Sequence, residues 1–125
     1  ARKSIPQDTP VFEYRGDSVR YVVADLREGR YRSEGRDCYL FFLNDTVVLD
    51  ATTQGSISRF TNHCCMPSLY TKNVDFDGES HVVFFTKSAV RAGQELTFDY
   101  RFKQEDDADR VPCHCGAPNC KGFLN

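Results

Sequence analysis

Pro112-Cys113-His114-Cys115-Gly116-Ala117-Pro118-Asn119-Cys120-Lys121-Gly122-Phe123-Leu124-Asn125 closes the chain, with three of its six cysteines in a Cys-x-Cys-x4-Cys array. Cysteines one residue apart are poorly placed to bridge each other, because a disulfide needs converging Cβ vectors. They are well placed to grip one metal ion. Thiolates select zinc, and structural zinc is four-coordinate, so three cysteines ask for a fourth ligand from elsewhere. The dense candidate is Asn62-His63-Cys64-Cys65. A clip of that span predicts a C-terminal tail folded back over the middle of the domain.

The rest of the composition narrows the class. A chain of 125 residues is expected to form one domain with a real core. Its longest apolar runs, residues 39–43 and 82–85, are strand-sized, and nothing reads as a signal peptide or membrane span. Six cysteines in a short chain suit a secreted disulfide scaffold, but the Cys113/Cys115 spacing and the vicinal Cys64-Cys65 argue for zinc in a reducing compartment. A net charge of -2 and a pI near 5.9 leave no broad basic footprint for nucleic acid. The acidic run Glu105-Asp106-Asp107-Ala108-Asp109 is most simply a solvated loop; its sharper reading is the steering of a basic partner.

Apolar patterning is strand-like. Residues 10–14 alternate up to Gly16, and residues 38–43 and 46–50 flank Asn44-Asp45 as a hairpin with a two-residue turn. Residues 81–86 suit a strand covered on both faces, and residues 95–100 form another strand after Arg91-Ala92-Gly93. Helix is scarce: about two turns over residues 22–31, and one short turn over 55–60 capped by Ser56. The expected fold is mostly β, many short strands closed by a metal. The polar stretch from Glu105 to Arg110 connects the last strand to the cysteine tail.

Three further segments could carry chemistry. In Arg59-Phe60-Thr61-Asn62-His63-Cys64-Cys65-Met66-Pro67, the Asn-His pair offers an amide and an imidazole able to read a purine edge. In Glu95-Leu96-Thr97-Phe98-Asp99-Tyr100, alternation puts Phe98 and Tyr100 on one face. In Cys38-Tyr39 a phenol opens an apolar strand. Each has a plainer reading, the aromatics as core and His63 as a satisfied structural residue.

Taken together, the order Glu13-Tyr14-Arg15-Gly16, Asp50-Ala51, Arg59-Phe60-x-Asn62-His63-x-Cys65-x-Pro67, Glu95-Leu96-Thr97-Phe98-Asp99-Tyr100 and Cys-x-Cys-x4-Cys resembles the SET domain with its post-SET zinc tail, along nearly the whole chain. The resemblance implies several short sheets with a knot-like core, a SET domain over residues 1–104, and an acidic connector with a post-SET zinc tail over 105–125. It implies a nuclear protein-lysine methyltransferase that uses S-adenosylmethionine, most often on histone H3. Asn62 and His63 match the pair that contacts the cofactor. Cys65 matches the fourth ligand of one structural zinc, with Cys113, Cys115 and Cys120. Tyr100 matches the catalytic tyrosine, and Tyr39 an active-site tyrosine beside cofactor and lysine. His114 and Phe123 sit where post-SET residues close over the cofactor, while Cys38 and Cys64 remain free thiols. The position of Phe98 holds either tyrosine or phenylalanine in this family, and phenylalanine leaves room for di- or trimethyl-lysine.

The segments Ala24-Asp25-Leu26-Arg27-Glu28 and Leu49-Asp50-Ala51-Thr52, with the tail, look like the trithorax/COMPASS branch, which methylates the fourth-position lysine of histone H3. Phe98 and Ser56-Ile57-Ser58 point instead to enzymes of the ninth position, and the thirty-sixth is a third candidate. Implied partners are the histone H3 tail and other subunits of a chromatin complex, without sequence-specific nucleic acid or a membrane. Two departures matter. The Gly-x-Gly strand that opens most SET domains is absent before Ala1, through either a fragment boundary or loss of part of the cofactor site. Cys64 and Ser68 stand where the family usually has serine and asparagine, which predicts weaker ordering of the Asn62-His63 segment. The alternative is a catalytically impaired, zinc-stabilised module that binds a histone or a complex partner.

Overall fold

The structure is a computed structural model that describes residues 1–102 and 110–124; the acidic run 105–109, most of the connector and Asn125 lie outside the described residues. In chain order the elements are β1 (Pro10–Tyr14), β2 (Asp17–Arg20), α1 (Tyr21–Ser33), β3 (Leu40–Phe42), β4 (Val47–Asp50), a 3-10 turn (Ile57–Phe60), β5 (Asn62–His63), β6 (Leu69–Phe76), β7 (Glu79–Thr86) and β8 (Thr97–Phe98). The strands form three small sheets, ordered β1-β7-β6, β2-β4-β3 and β5-β8. The expectation of a mostly β fold holds. Among the described residues no helix is long and apolar enough to cross a membrane.

Several local expectations need correction. The hairpin pairs Leu40 with Asp50 and Phe42 with Val48, so its connection is longer than Asn44-Asp45. The Asn44 side chain sets it: Oδ1 accepts the backbone N–H groups of Thr46 and Val47, both at 2.9 Å. The helix starts earlier and ends later than residues 22–31. Its last turn gains the exposed i,i+4 ion pairs Glu28–Arg32 and Arg30–Glu34. Ser56 does not cap the 3-10 turn, because its hydroxyl donates to the Glu13 carbonyl at 2.7 Å. The strand expected over 95–100 shrinks to Thr97–Phe98, since β5 offers only Asn62 and His63 as parallel partners. Sequence reading missed β2 and β6, although Asp77-Gly78 was there as a hairpin signal. Both residues have positive φ, 49° and 74°, as a two-residue type I′ turn between β6 and β7 requires.

The described chain divides into two compact units. One comprises Ala1–Val11, Thr61–Tyr70 and the chain from Phe85 onward; the other comprises Phe12–Phe60 and Thr71–Phe84. The first is centred on buried Leu69, Val90 and Thr86. The Thr86 hydroxyl donates to the Pro6 carbonyl at 2.6 Å and accepts the Thr9 N–H at 2.9 Å, so a buried polar side chain is fully paired. In the second unit Tyr14, Phe41 and Phe84 pack as an aromatic cluster with centroids 5.0 to 6.3 Å apart. Gly16 lies against the Asp50 backbone, where an added Cβ would sit 2.6 Å from the Asp50 carbonyl carbon. That close approach joins Tyr14-Arg15-Gly16 to Asp50-Ala51 and explains why both stretches carry a recognisable signature.

Asp50 is the polar hub of the second unit. It is completely buried. Its Oδ2 accepts from Arg27 Nη1 at 2.9 Å and the Tyr31 hydroxyl at 2.8 Å, and its Oδ1 from the Thr52 N–H at 3.0 Å. Burial alone would raise this carboxyl, but the Arg27 guanidinium and the Thr52 and Tyr31 hydrogen bonds outweigh it and hold the pKa below the ordinary value. Its stabilising contribution is therefore present above the unfolded pKa of about 3.9 and is lost as pH falls through the lower folded value. Asp50→Ala is expected to cost about 3 kcal/mol, because it strips the buried Tyr31 hydroxyl of its acceptor and leaves Arg27 only its 3.2 Å contact with Asp17. A urea midpoint within error of the unaltered protein would refute that role.

Candidate functional site

The first unit gathers the cysteine tail and the Asn-His segment in one place. The sulfurs of Cys65, Cys113, Cys115 and Cys120 all lie within 4.8 Å of one another. Cys65 Sγ is 3.8 Å from Cys113 Sγ and 4.0 Å from Cys120 Sγ. A tetrahedral zinc with Zn–S bonds of about 2.3 Å places its sulfurs about 3.8 Å apart, so the donor set fits. All six cysteines are free thiols in this structure, and four of them gather as a metal-capable group. The tail is shaped for this grip. Cys113 N–H donates to the Gly122 carbonyl at 2.8 Å and Leu124 N–H to the Val111 carbonyl at 2.9 Å, a short antiparallel closure around the Pro112–Phe123 bridge. Backbone N–H groups then point at sulfur: Lys121 at Cys65 (3.4 Å), Cys65 at Cys115 (3.5 Å) and Gly122 at Cys120 (3.5 Å). The N–H groups of Cys65 and Ala117 help to pull the Cys115 thiol down to about 6.

Beside the cysteines, β5 and β8 pair in parallel, Asn62 with Thr97 and His63 with Phe98. Ser68 fastens this pair: its hydroxyl accepts the Thr97 N–H at 3.0 Å and reaches the Glu95 carbonyl at 3.4 Å. One hydroxyl thus supplies both donor and acceptor at this position. Past β8 the chain brings Tyr100 back over His63, with ring centroids 5.3 Å apart and the Phe98 ring 4.8 Å from that of Tyr100. The Tyr100 hydroxyl donates to the Thr61 carbonyl at 2.9 Å. With its one proton committed there, the phenol oxygen presents lone pairs to anything placed before it.

The imidazole of His63 differs from its sequence reading. Nδ1 accepts the Tyr100 N–H at 3.1 Å and Nε2 lies 3.4 Å from Cys65 Sγ, with the side chain only 5% exposed. Burial lowers its pKa despite nearby Asp99. Both ring nitrogens are engaged inside the protein, which leaves the imidazole no free nitrogen for a purine edge. Asn62 is exposed and donates to Glu95 Oε1 at 2.8 Å. His114 and Phe123 are exposed on the tail, with the Arg110 guanidinium 5.3 Å above the Phe123 ring. Tyr39 belongs to the second unit. There its ring meets Phe60 edge-on at 5.7 Å and lies under the Arg59 guanidinium at 5.5 Å. Arg59 is itself anchored by a 2.7 Å hydrogen bond to the Ala51 carbonyl.

The SET domain family profile matches residues 1–101. The chain belongs to the SET-domain family. Over 126 aligned residues this SET domain is 47% identical to an H3 lysine-4-specific histone-lysine N-methyltransferase of Mycosarcoma maydis, covering 99% of this chain and 9% of that protein. The corresponding protein of Saccharomyces cerevisiae is 45% identical, with coverages of 100% and 12%. Histone-lysine N-methyltransferase trithorax of Drosophila melanogaster is 42% identical, with coverages of 98% and 3%. The SET domain thus spans about a tenth or less of the length of these curated relatives.

Sequence reading did not single out Asp99, which the structure places at the junction of tail and site. Its carboxylate lies 3.5 Å from Lys121 Nζ and 3.8 Å from His63 Nδ1. The signal available was its place between the two aromatics, opposite in facing to both Phe98 and Tyr100. Thr61 was inside the quoted motif, but its carbonyl role could not be read, because a backbone acceptor leaves no trace in side-chain identity.

Proposed function

We propose that this SET domain transfers methyl groups from S-adenosylmethionine to the fourth-position lysine of the histone H3 tail, in preference to the ninth and thirty-sixth, yielding di- or trimethyl-lysine. The observation that carries this reading is 45–47% identity, along nearly all of this chain, to relatives named H3 lysine-4 specific. The same reading makes residues 1–104 the SET domain and 105–125 the connector and post-SET tail of a nuclear protein. It assigns one zinc to Cys65, Cys113, Cys115 and Cys120; four thiolates leave that metal no open position, so it holds the tail and takes no part in chemistry. Asn62, His63, Tyr39, His114 and Phe123 are assigned to the cofactor. A protein partner within a chromatin complex has a surface to fit: α1 exposes Val22 and Leu26, 71% and 72% accessible and one helical turn apart.

S-adenosylmethionine supplies a methyl group on a sulfonium sulfur. The lysine lone pair forms the C–N bond as the C–S bond breaks, leaving a thioether. A lysine in water has a pKa of about 10.4, so its amine must first lose a proton. An apolar channel and a neighbouring sulfonium both lower that pKa, and no strong base is needed. The protein's contribution is alignment and placed oxygens. Tyr100 is suited to this because Thr61 holds its proton and leaves the oxygen as an acceptor. Tyr39 is the second proposed hydroxyl.

Phe98 is the proposed control on methylation degree. It is 9% exposed and packs on Tyr100. A hydroxyl added there would take space and hydrogen-bond the amine or a water, so Phe98→Tyr is expected to shift product towards monomethyl-lysine. Intact-mass spectra checking this would count against it if the unaltered protein gave only singly methylated peptide. The function itself is tested by incubating unmodified H3 peptides, each covering one candidate lysine, with the protein and S-adenosylmethionine. Mass gain on the fourth-lysine peptide is expected; product only on another peptide reassigns the substrate, and no product on any favours a binding module.

A further inference from the structure

We infer that His63 is a fixed-tautomer link between the metal cluster and Tyr100: Nε2 carries the proton and donates it to Cys65 sulfur, while bare Nδ1 holds the Tyr100 N–H. The tautomer follows from geometry. A backbone N–H has only one state, and that of Tyr100 points at Nδ1 from 3.1 Å. A proton on Nδ1 would set two donors against each other, so Nδ1 must present its lone pair. The competing influence is Asp99, whose Oδ1 would favour a proton on Nδ1, but it stands off at 3.8 Å. A buried imidazole with one bare nitrogen carries its hydrogen on the other, and Nε2 faces Cys65 Sγ at 3.4 Å. A thiolate in a metal cluster is a better acceptor than a thiol, so metal binding strengthens this contact.

The consequence reaches beyond the metal site. Cys65 is the one cysteine of the cluster outside the tail, and its neighbour two residues back holds the backbone of Tyr100. The ring bridges the two directly, through contacts of 3.4 and 3.1 Å. Metal on the four sulfurs thereby sets the backbone position of Tyr100, two bonds in space away. His63 acts here as a positioning residue. Calling Tyr100 catalytic rests on the function proposed above; the link itself does not.

The test uses the intact metal-loaded protein with 15N-labelled histidine. Long-range proton–nitrogen correlations are expected to show His63 as the Nε2–H tautomer. An Nδ1–H tautomer or a doubly protonated ring would overturn the proposal. In protein loaded with cadmium-113, the Nε2 proton is expected to show a scalar coupling to the metal, and its absence with the metal bound would also overturn the link. Chelation is then expected to speed hydrogen exchange at the Tyr100 amide by about tenfold or more, the scale of one lost hydrogen bond, with Val48 in the second unit unchanged. A Tyr100 rate unaltered by chelation refutes the coupling. The readouts are independent of turnover, so a failed peptide assay would remove the enzymatic reading while leaving the tautomer result to be judged alone.

Discussion

Tyr100→Phe is expected to lower methyl transfer to an H3 peptide by about 100- to 1,000-fold, the range for loss of one placed oxygen at a reacting centre. The substitution removes a single atom and leaves the ring, which is packed by His63, Phe98 and Phe102 with centroids 4.8 to 5.3 Å away. The hydroxyl donates a hydrogen bond to the Thr61 carbonyl. Its loss should cost about 1 kcal/mol of stability, too little to unfold the domain. The Tyr100 N–H and its bond to His63 stay, so the metal site should be intact. A fall in kcat with nearly unchanged KM would place the lost interaction in the transition state. Activity within tenfold of the unaltered protein, at equal metal content and urea midpoint, would remove Tyr100 from the chemistry. A large drop in midpoint would instead make its role structural.

The metal site was legible because cysteine spacing states a chemical demand directly. Three thiolates without a fourth could not be a finished zinc site, and only one dense cluster stood upstream; the structure brings Cys65 to within 4.0 Å of two tail sulfurs. The Phe98–Tyr100 pairing was legible for a similar reason, since alternation along two residues survives even where the strand shrinks to Thr97–Phe98. What escaped was whatever depends on backbone atoms or on polar strands. β6 reads Leu69 to Phe76 with a run of exposed polar residues, so no alternation marks it, and only Asp77-Gly78 betrays the hairpin. The surroundings of His63 were not legible, because a sequence shows that an imidazole is present but not which partners occupy its nitrogens. Here a backbone N–H from thirty-seven residues away occupies one of them. Ser68 lacks an amide, yet its hydroxyl accepts from Thr97 N–H and donates towards Glu95, the same two functions an amide would serve.

Removing the metal should produce the largest change of all, and paired cysteine substitutions give it residue resolution. Cys65→Ala is expected to abolish tight binding of one zinc per chain, release the tail and suppress peptide methylation more than 100-fold; Cys64→Ala should retain zinc. The contrast follows from adjacent residues with opposite surroundings. Cys65 is buried, sits among the three tail sulfurs, and its sulfur receives the Lys121 N–H at 3.4 Å. Cys64 belongs to no metal-capable group among the described residues and contributes a backbone N–H to the Phe98 carbonyl at 3.1 Å, which alanine keeps. Structural zinc in small sites contributes about 10–16 kcal/mol of apparent binding free energy at neutral pH, far more than any other single interaction in this domain. Three remaining thiolates plus water would hold it much more weakly. Without the metal, the tail's short antiparallel closure at Pro112–Phe123 has two backbone hydrogen bonds and partly exposed side chains to keep it ordered. Tryptic cleavage after Lys121 should therefore accelerate in Cys65→Ala and in chelated protein, and not in Cys64→Ala. Equal zinc content in both variants would show that Cys65 is not a ligand. Loss of zinc in both would mean that the Cys64-Cys65 segment supports the site through its backbone, with the fourth sulfur unassigned.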